Sequence, residues 1–517
     1  MSVVPVLDAA EAAEWDRRAR DEAGLPARVL MEAAGRAAAA VIAREHESAL
    51  AKGVLVLCGR GNNGGDGWVA ARALAALGVS VTAVALPGDL STDNAANRAL
   101  ALAQGVRLAT LGEEWGGAGV AVDALLGTGA TGAPKGDVAQ AVDRLMRLGI
   151  PVVAVDGPTG LDLSNGRVHA PCVRAATTVT FGGFRRGHLL QRTMCGTVVV
   201  TEMGFPPADP SWPGVVTDAW LSDVLPPLAA DTHKGGRGKV LVIGGADGMA
   251  GAAIYAAKAA QRSGAGLVRL AATEASVRAA QANNPDIVTT TTALGEELED
   301  NLREAIPWAD AVILGPGLGR GAVRARFARL VLKEKPAAVL LDADGLMAFQ
   351  GATAELRSLL AGLRALLTPH RGEFAALFSD LAEDARSDPF AAAAIAAAQV
   401  DQAVLLKGVP TVVAAPRLPS LVSAAGNPGL ATGGTGDVLA GMAATWLARG
   451  APPQVAGAAA AHVHGRAAED VARHRSVRSL RPDDLLGVLS PLWRELAERT
   501  VRFEPPVLAR LEPPEVR

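Results

Sequence analysis

Short, uninterrupted apolar runs recur along most of this chain, and many of them end in a turn of Gly and Asp. Strands of a parallel sheet that is covered on both faces have this composition, because neither face of the strand meets water. Helical segments such as residues 69–77 lie between the runs. The alternation therefore predicts doubly wound α/β structure.

The predicted strands form two series. The first series follows a helical stretch at 8–46 and is expected at 53–58, 80–86, 119–124, 151–156, 177–181 and 197–201. The second series is expected at 239–243, 267–271, 311–314, 338–341, 363–367, 403–406 and 411–414. Between them lie the prolines 206, 207, 210, 213, 226 and 227, and proline neither continues a helix nor donates to a sheet. This segment is the expected linker between one domain at 1–212 and another at 225–505.

Size and composition exclude several classes of protein. At 517 residues the chain exceeds the usual size of one hydrophobic core, and its net charge of −3 provides no basic face for nucleic acid. Three widely spaced cysteines do not form a disulfide or zinc framework and fit a reducing compartment. No apolar run is long enough to span a bilayer, and residues 1–5 lack the features of a signal peptide. We expect a cytoplasmic protein with no nucleic-acid or membrane partner.

Three turns of the first half carry the residues of a candidate site. Gly59–Gly67 follows the first predicted strand and contains G-x-G-x-x-G, which alone is weak evidence for a dinucleotide site. Similar turns at 123–132 and 156–162 follow two further strands. Because open α/β sheets bind ligands at the carboxyl ends of their strands, we expect Asn63, Asp123 and Asp156 to meet in one pocket. Their side-chain oxygens suit a hard cation.

A second candidate site lies in residues 427–441, around the sequence Gly433-Gly434-Thr435-Gly436-Asp437. Backbone N–H groups at the start of a helix bind phosphate, and Asp437 can accept a proton from a hydroxyl held beside them. This combination suits phosphoryl transfer to an alcohol. Lys407 is expected to contact nucleotide phosphates and His370 to contact a ligand, whereas Asp342 and Asp344 are candidates to orient substrate or magnesium.

The first-half motifs at 30–35, 62–67, 123–132 and 156–160 resemble the NAD(P)H-hydrate epimerase domain over about residues 1–210. The resemblance implies a Rossmann-like domain that inverts C6, the carbon bearing the added hydroxyl of hydrated NADH or NADPH. It implies substrate contacts at Asn62, Asn63, Gly64, Gly65, Asp66, Gly127, Thr128, Gly129, Ala130, Thr131, Gly132, Ala133 and Asp156. It also implies a potassium ion held by Asn63, Asp123 and Thr159. Such a reaction needs an acid/base group, for which Asp156 is the first candidate, with Lys135 beside it.

The second-half motifs at 233–235, 264–267, 315–319, 367–373, 405–411 and 427–441 resemble the ADP-dependent NAD(P)H-hydrate dehydratase, a ribokinase-like α/β domain, over about residues 225–500. The resemblance implies phosphorylation of the C6 hydroxyl by ADP, with magnesium on the phosphates, followed by loss of phosphate. It implies hydrate contacts at Ala253, Gly319, His370 and Asp437. It implies ADP contacts at Lys407, Gly408, Val409, Pro410, Thr411 and Gly436. Members of this superfamily are commonly oligomeric, so a homo-oligomer is expected.

The two domains in this order resemble the bifunctional bacterial NAD(P)H-hydrate repair family. The prediction is an enzyme that interconverts the R and S hydrates and dehydrates the S form. A kinase for hydroxyethylthiazole or hydroxymethylpyrimidine is an alternative that explains residues 225–500 but leaves the first site idle. A nucleotide-binding regulatory or scaffold protein is another, although binding alone gains nothing from a carboxylate at Asp437.

Overall fold

The computed structural model describes residues 3–225, 228–498 and 507–513, so Pro226 and Pro227 of the predicted linker lie outside the described residues. The described residues divide into two compact units. The first domain is built from residues 4–212 together with 507–513, and the second from residues 213–498.

The first domain begins with nine strands and eight helices among its described residues. The strands are β1 (Val4–Leu7), β2 (Val54–Cys58), β3 (Val81–Ala85), β4 (Arg107–Ala109), β5 (Val120–Ala124), β6 (Val152–Val155), β7 (Thr177–Phe181), β8 (Phe184–Arg185) and β9 (Thr197–Thr201). The helices are α1 (Ala9–Asp21), α2 (Ala27–Glu45), α3 (Glu47–Leu50), α4 (Asn62–Ala76), α5 (Thr92–Ala103), α6 (Gly136–Arg147), α7 (Arg186–Leu190) and α8 (Arg192–Cys195).

The second domain contains ten strands and thirteen α-helices among its described residues. The strands are β10 (Gly214–Val215), β11 (Lys239–Ile243), β12 (Leu267–Ala272), β13 (Val288–Thr291), β14 (Ala311–Leu314), β15 (Ala338–Leu341), β16 (Arg364–Leu367), β17 (Ala403–Leu406), β18 (Thr411–Ala415) and β19 (Leu418–Ser423). The helices are α9 (Asp218–Val224), α10 (Ala250–Arg262), α11 (Glu274–Asn283), α12 (Asp300–Trp308), α13 (Ala322–Lys333), α14 (Asp344–Met347), α15 (Thr353–Leu360), α16 (Arg371–Leu377), α17 (Asp384–Ser387), α18 (Pro389–Val400), α19 (Thr435–Ala448), α20 (Pro453–His474) and α21 (Pro482–Glu498). A final strand, β20 (Val507–Leu511), returns to the first domain.

The sheet of the first domain has the order β20-β9-β7-β6-β5-β2-β3-β4. Every pair in it is parallel except β20 with β9. Every residue of β2 and β5 is buried, as expected for central strands that are covered on both faces. The carboxyl ends of β2, β5 and β6 therefore lie side by side at one edge of the sheet.

The sheet of the second domain runs in the order β13-β12-β11-β14-β15-β16-β17-β18-β19-β10. Strands β11 to β17 run parallel to one another, and β18 is antiparallel to both of its neighbours, β17 and β19. Alanine-rich helices α10, α19 and α20 pack into a core with the apolar strand residues. The core places the start of α19 near the carboxyl ends of the central strands.

The predicted doubly wound architecture is confirmed, but several local predictions need correction. The helical stretch at 8–46 is two helices, α1 and α2, because Pro26 caps the second and cannot extend the first. Helix α4 begins at Asn62, well before residue 69, so the Gly-rich sequence forms its first turns. Strands β1, β4, β8, β10, β13, β19 and β20 were not predicted. No helix in the described part of the chain is long and apolar enough to cross a membrane.

Candidate active sites

A cavity of about 710 Å³ opens in the first domain at the carboxyl edge of its sheet. Small-molecule sites have volumes of about 300–1,000 Å³. Its polar wall comes from the start of α4, the loop after β5 and the end of β6, and includes Asn62, Asn63, Asp66, Gly127, Thr128, Gly129, Ala130 and Asp156. Its apolar wall includes Trp15 and Phe205, whose rings stack with centroids 4.8 Å apart.

Asp156 lies at the centre of the polar wall, immediately after β6. Its φ of 66° is in the left-handed region, which Asp adopts more readily than most residues. Asp156 Oδ2 accepts hydrogen bonds from the backbone N–H of Thr128 at 2.7 Å and from its hydroxyl at 2.6 Å. A methyl group added at Gly127 would lie 2.9 Å from the same oxygen, so glycine leaves this part of the cavity open.

Arg185 supplies the positive charge beside this carboxylate. Its Nη2 lies 3.3 Å from Asp156 Oδ1, and its Nε donates to Thr128 Oγ1 at 2.9 Å. Burial works against the charged form of Asp156, but Arg185 and the Thr128 hydrogen bonds outweigh it and lower the Asp156 pKa. Asp156 is therefore an anion at neutral pH, held in one orientation.

His188 supports the backbone beneath the same site. Its Nδ1 accepts from the Arg185 N–H at 3.0 Å, so Nε2 carries the hydrogen and donates to the Asp156 carbonyl at 2.8 Å. Burial, with a further contribution from Arg185, lowers the pKa of His188 to about 4. The imidazole is consequently neutral at pH 7 and acts as a fixed link between Asp156 and Arg185.

The candidate cation site consists of Asn63, Asp123 and Thr159, and one of its oxygen atoms belongs to the unpaired side-chain amide of Asn63. Both amide atoms of Asn63 are buried without a hydrogen-bond partner among the described residues. Asp123 is fully buried and accepts from Thr159 N and Oγ1, each at 2.8 Å. Burial raises the Asp123 pKa to about 6 against these hydrogen bonds. An amide, a carboxylate and a hydroxyl oxygen form a donor set that fits a hard cation such as potassium.

Asp66 is the second carboxyl group on the cavity wall, and its surroundings differ from those of Asp156. It lies one helical turn after Asn63 on α4 and is largely buried. Burial raises the Asp66 pKa well above its usual value, and the negative charges of Asp156 and Asp16 raise it further. The surroundings thus move the pKa values of Asp66 and Asp156 in opposite directions.

Two other glycines of the α4 sequence serve packing rather than the cavity. A methyl group at Gly64 would lie 1.9 Å from the carbonyl oxygen of Gly59, and one at Gly65 would lie 2.4 Å from Met31 Sδ. Neither glycine is part of the cavity wall. Their small size brings α4 close to β2 and α2, and this close approach places Asn63 and Asp66 at the cavity.

The second site gathers loops from neighbouring parallel strands. Gly319, Asp342, His370 and Lys407 follow β14, β15, β16 and β17, which are consecutive in the sheet. Asp344 Oδ2 accepts from Gly319 N at 3.0 Å and so joins two of these loops. This edge is where open α/β sheets bind their ligands.

Asp437 occupies the first turn of α19, which starts after Gly434. In the described part of the chain, the N–H groups of Gly436 and Asp437 have no backbone acceptor. Unpaired amides and the positive end of the helix dipole together favour an anion. Burial, reinforced by Asp342, raises the Asp437 pKa to about 7, so its carboxylate can take up a proton near neutrality.

Lys407 brings a positive charge to the same helix start. Its Nζ bonds to Asp342 Oδ1 at 2.6 Å, and a methyl group at Gly436 would lie 3.4 Å from this nitrogen. Burial opposes the charge of Lys407, but Asp342 and Glu373 outweigh burial and raise its pKa. A permanent ammonium group therefore faces the unpaired amides. The described residues contain no cluster of three or more His, Cys, Asp or Glu arranged to bind a metal.

Comparisons with known proteins cover nearly the whole chain. The family described as NAD(P)H-hydrate dehydratase matches residues 240–490, and the one described as YjeF-related protein N-terminus matches residues 27–187. A bifunctional NAD(P)H-hydrate repair enzyme from Salinibacter ruber is 39% identical over 96% of both chains. Its counterpart in Escherichia coli is 34% identical over 92% of this chain and 91% of its own. This chain belongs to the family of bifunctional NAD(P)H-hydrate repair enzymes.

The first domain is thus the epimerase domain of this family and the second its dehydratase domain. A solved ribokinase-like superfamily protein from Enterococcus faecalis aligns with a TM-score of 0.50 and 25% identity, covering 56% of this chain and 97% of its own. This likeness confirms the predicted ribokinase-like fold of one domain. The match over both domains also removes the kinase alternative, which left the first site idle, and the regulatory or scaffold alternative, because the family consists of enzymes.

The epimerase domain brings together only part of the predicted residue set. The residues on the cavity wall are Asn62, Asn63, Asp66, Gly127, Thr128, Gly129, Ala130 and Asp156. Thr131, Gly132 and Ala133 are exposed beyond that wall, and Lys135 is exposed at the start of α6. Lys135 therefore does not line the cavity beside Asp156.

In the dehydratase domain, Lys407, Gly436 and Asp437 meet as predicted residues of one site. His370 caps α16, where its Nδ1 accepts from Gly372 N at 3.0 Å, and its ring stays largely exposed. Ala253 is fully buried in the core on α10. Gly408 and Val409 are exposed in the loop between β17 and β18, where Pro410 is buried and Thr411 begins β18.

Arg185 and His188 are the site residues that sequence reasoning missed. They follow β7, whereas Asp156 precedes it, so no local spacing connects them. The available signal was the pair Arg185-Arg186 a few residues after the predicted strand at 177–181, near the sheet edge that carries the other candidate residues.

Proposed function

We propose that this protein repairs hydrated NADH and NADPH in two steps: the epimerase domain interconverts the R and S hydrates, and the dehydratase domain uses ADP to restore the reduced cofactor from the S hydrate. The observation that carries the proposal is the position of Asp437. It combines a titratable carboxylate, unpaired helix amides and the Lys407 ammonium at one point. Phosphoryl transfer to a hydroxyl is assisted by a base for the hydroxyl proton and by positive groups that stabilise the transferred phosphoryl group.

The epimerase cavity supports acid–base chemistry on a ring. Asp156 stays ionised because Arg185 and Thr128 stabilise its charge, and it faces the open space that Gly127 leaves. We assign Asp156 to take the proton of the C6 hydroxyl. The stacked Trp15 and Phe205 offer an apolar surface for the flat rings of the substrate.

Potassium fits the oxygen set of Asn63, Asp123 and Thr159, and these residues would hold it. The ion would supply a fixed positive charge near the polar end of the cavity. Binding would satisfy the unpaired Asn63 amide oxygen and favour the ionised form of Asp123.

In the dehydratase domain, Asp437 takes the proton of the C6 hydroxyl as its oxygen attacks the terminal phosphate of ADP. AMP leaves, and Lys407 with the amides of Gly436 and Asp437 stabilises the transferred group. Loss of phosphate from C6 and of a proton from C5 then forms the double bond of the reduced nicotinamide. Magnesium bound to the ADP phosphates would neutralise their charge. Of the other predicted contacts, Gly319, His370 and Ala253 stay assigned to the hydrate, and 408–411 to ADP.

The direct test is to incubate the protein with NADH hydrate, with and without ADP, and to follow the absorbance of reduced nicotinamide. We expect recovery only with ADP. Recovery that does not depend on a nucleotide, or turnover of a thiazole or pyrimidine alcohol with ATP instead, would contradict the proposal.

We also propose a cytoplasmic homo-oligomer. A cytoplasmic location would match the substrates and the free cysteines Cys58, Cys172 and Cys195. Light scattering of the purified protein checks the oligomer, because a mass equal to one chain would exclude it.

A further inference from the structure

Asp66 and Asp156 are two of the three carboxyl groups that line the epimerase cavity among the described residues, and the third is that of Asp16 on α1. Asn63 and Asp66 are three residues apart on α4, so their Cβ atoms are about 5–6 Å apart on one helix face. A methyl group at Gly127 would lie 3.4 Å from Asn63 Cβ and 2.9 Å from Asp156 Oδ2. Asp66 and Asp156 both lie on the wall of the same cavity, Asp66 in the first turns of α4 and Asp156 at the end of β6.

The charged groups nearest Asp156 differ in sign from those nearest Asp66. Arg185 pairs with Asp156, and the Asp156 carbonyl accepts from the neutral His188. The charges that act most strongly on Asp66 are those of Asp156 and of Asp16 on α1, and both are negative. Arg20, Arg60 and Arg185 line other parts of the same cavity wall. Carboxyls whose surroundings separate their protonation states commonly divide the acid and base roles of a reaction.

We propose that Asp66 is the general acid of the epimerase, acting on the substrate together with Asp156. This inference rests on the proposed epimerase function. Inversion at C6 requires one of its bonds to a heteroatom to break and re-form. Asp156 takes the hydroxyl proton as C6–N1 breaks, the bonding electrons move to N1, and Asp66 gives N1 its proton. The resulting aldehyde rotates about C5–C6 and N1 attacks its other face. Asp156 then returns its proton to the new C6 oxygen, and N1 returns its proton to Asp66.

The test uses the full-length protein, the purified R hydrate of NADPH and no ADP, with chromatography of the R and S forms. Asp66→Asn is expected to lower kcat by about 100-fold or more, the usual contribution of a general acid, with KM changed less than about threefold. Asp66→Glu keeps a carboxyl group and is expected to regain part of the rate. Asp143→Asn, an exposed change on α6, is the matched control and is expected to behave as wild type.

Two further measurements distinguish a catalytic role of Asp66 from a folding defect in its variants. ADP-dependent dehydration of the S hydrate by Asp66→Asn reports whether the rest of the chain has folded. The wild-type pH profile does not depend on any variant, and its kcat/KM should fall on the alkaline side as Asp66 loses its proton. Asp66→Asn activity within threefold of wild type, a loss confined to KM, or a wild-type profile without an alkaline limb would each overturn the proposal. If wild type does not interconvert the hydrates, the proposed function itself fails.

Discussion

Arg185 determines the charge of the carboxylate that faces the epimerase cavity. Its guanidinium is anchored by the carbonyl of Gly183 at 3.0 Å, and Thr128 links it to Asp156 by a hydroxyl. An arginine held in this way cannot turn towards solvent, so Asp156 keeps its cation even though it is mostly buried. The side chain is a positioning residue that acts through Asp156.

Replacing Arg185 with glutamine should move the acidic limb of epimerase kcat/KM to higher pH. Asp156 must be ionised to take a proton, and loss of the cation leaves burial to raise its pKa. Arg185→Lys keeps a charge and should shift the limb less. The check is a pH series of R-to-S conversion, and an unchanged limb in Arg185→Gln would show that Arg185 does not control Asp156.

Asp437 should give the dehydratase an acidic limb near pH 7. The carboxyl is active only when ionised and its pKa is raised to about 7, so kcat/KM should rise with pH through that value. Asp437→Asn should lower the rate by about 100-fold or more, because amide groups accept protons poorly. Steady-state assays of ADP-dependent cofactor recovery across pH test both points. Full activity in Asp437→Asn would exclude a base role.

The functional side chains at the strand ends could be predicted from the sequence, but the neighbouring residues that shift their pKa values could not. Asp437 and Lys407 each sit beside local motifs that indicate a phosphate site. The ionised state of Asp156 depends on Arg185, which only the three-dimensional sheet order brings to it. Protonation states therefore had to come from the structure.

At the level of elements, the start of α4 explains why the Gly-rich sequence contains two kinds of residue. Gly64 and Gly65 face the protein, whereas Asn63 and Asp66 face the cavity. A helix places residues three apart on one face, so the spacing that presents Asn63 also presents Asp66. A loop with the same sequence would not fix this separation.

Gly64→Ala should destabilise the epimerase domain by about 2 kcal/mol or more. Its new methyl group would lie 1.9 Å from a backbone carbonyl, which can move only with β2 and the loop after it. Gly112→Ala is the matched control, since no atom lies within 4 Å of its added methyl, and its effect should stay within about 0.5 kcal/mol. Chemical denaturation measures both. Equal stability of the two variants would contradict the packing role.

Strands were predicted correctly where full burial gives the sequence a continuous apolar run, and they were missed where the strand has no such run. Lys239–Ile243 and Ala311–Leu314 have the predicted bounds because both strands are central. Val288–Thr291 is a threonine-rich edge strand with every residue at least partly exposed, so it carries no apolar run. Helix α4 was predicted late because glycines usually indicate a turn, and here close packing outweighs their low helix propensity.

At the level of the whole molecule, the dehydratase site should depend on the epimerase site only for the conversion of R hydrate into S hydrate. With ADP and a mixture of both hydrates, Asp156→Asn should restore the S fraction at the wild-type rate and then stop, because the R hydrate is no longer converted. Wild type and the Asp143→Asn control should restore both fractions. Absorbance of reduced nicotinamide with chromatography of the remaining hydrate gives the measurement. Complete recovery at the wild-type rate would show that Asp156 is dispensable.

Strand β20 pairs with β9 in the sheet of the first domain although the whole second domain lies between them in the chain. During translation, β9 is therefore an unpaired edge strand of the first domain's sheet until residues 507–511 have been synthesised. An incomplete product would leave that edge open to pairing with other chains. The sheet of the epimerase domain can therefore be completed only after the dehydratase domain has been translated.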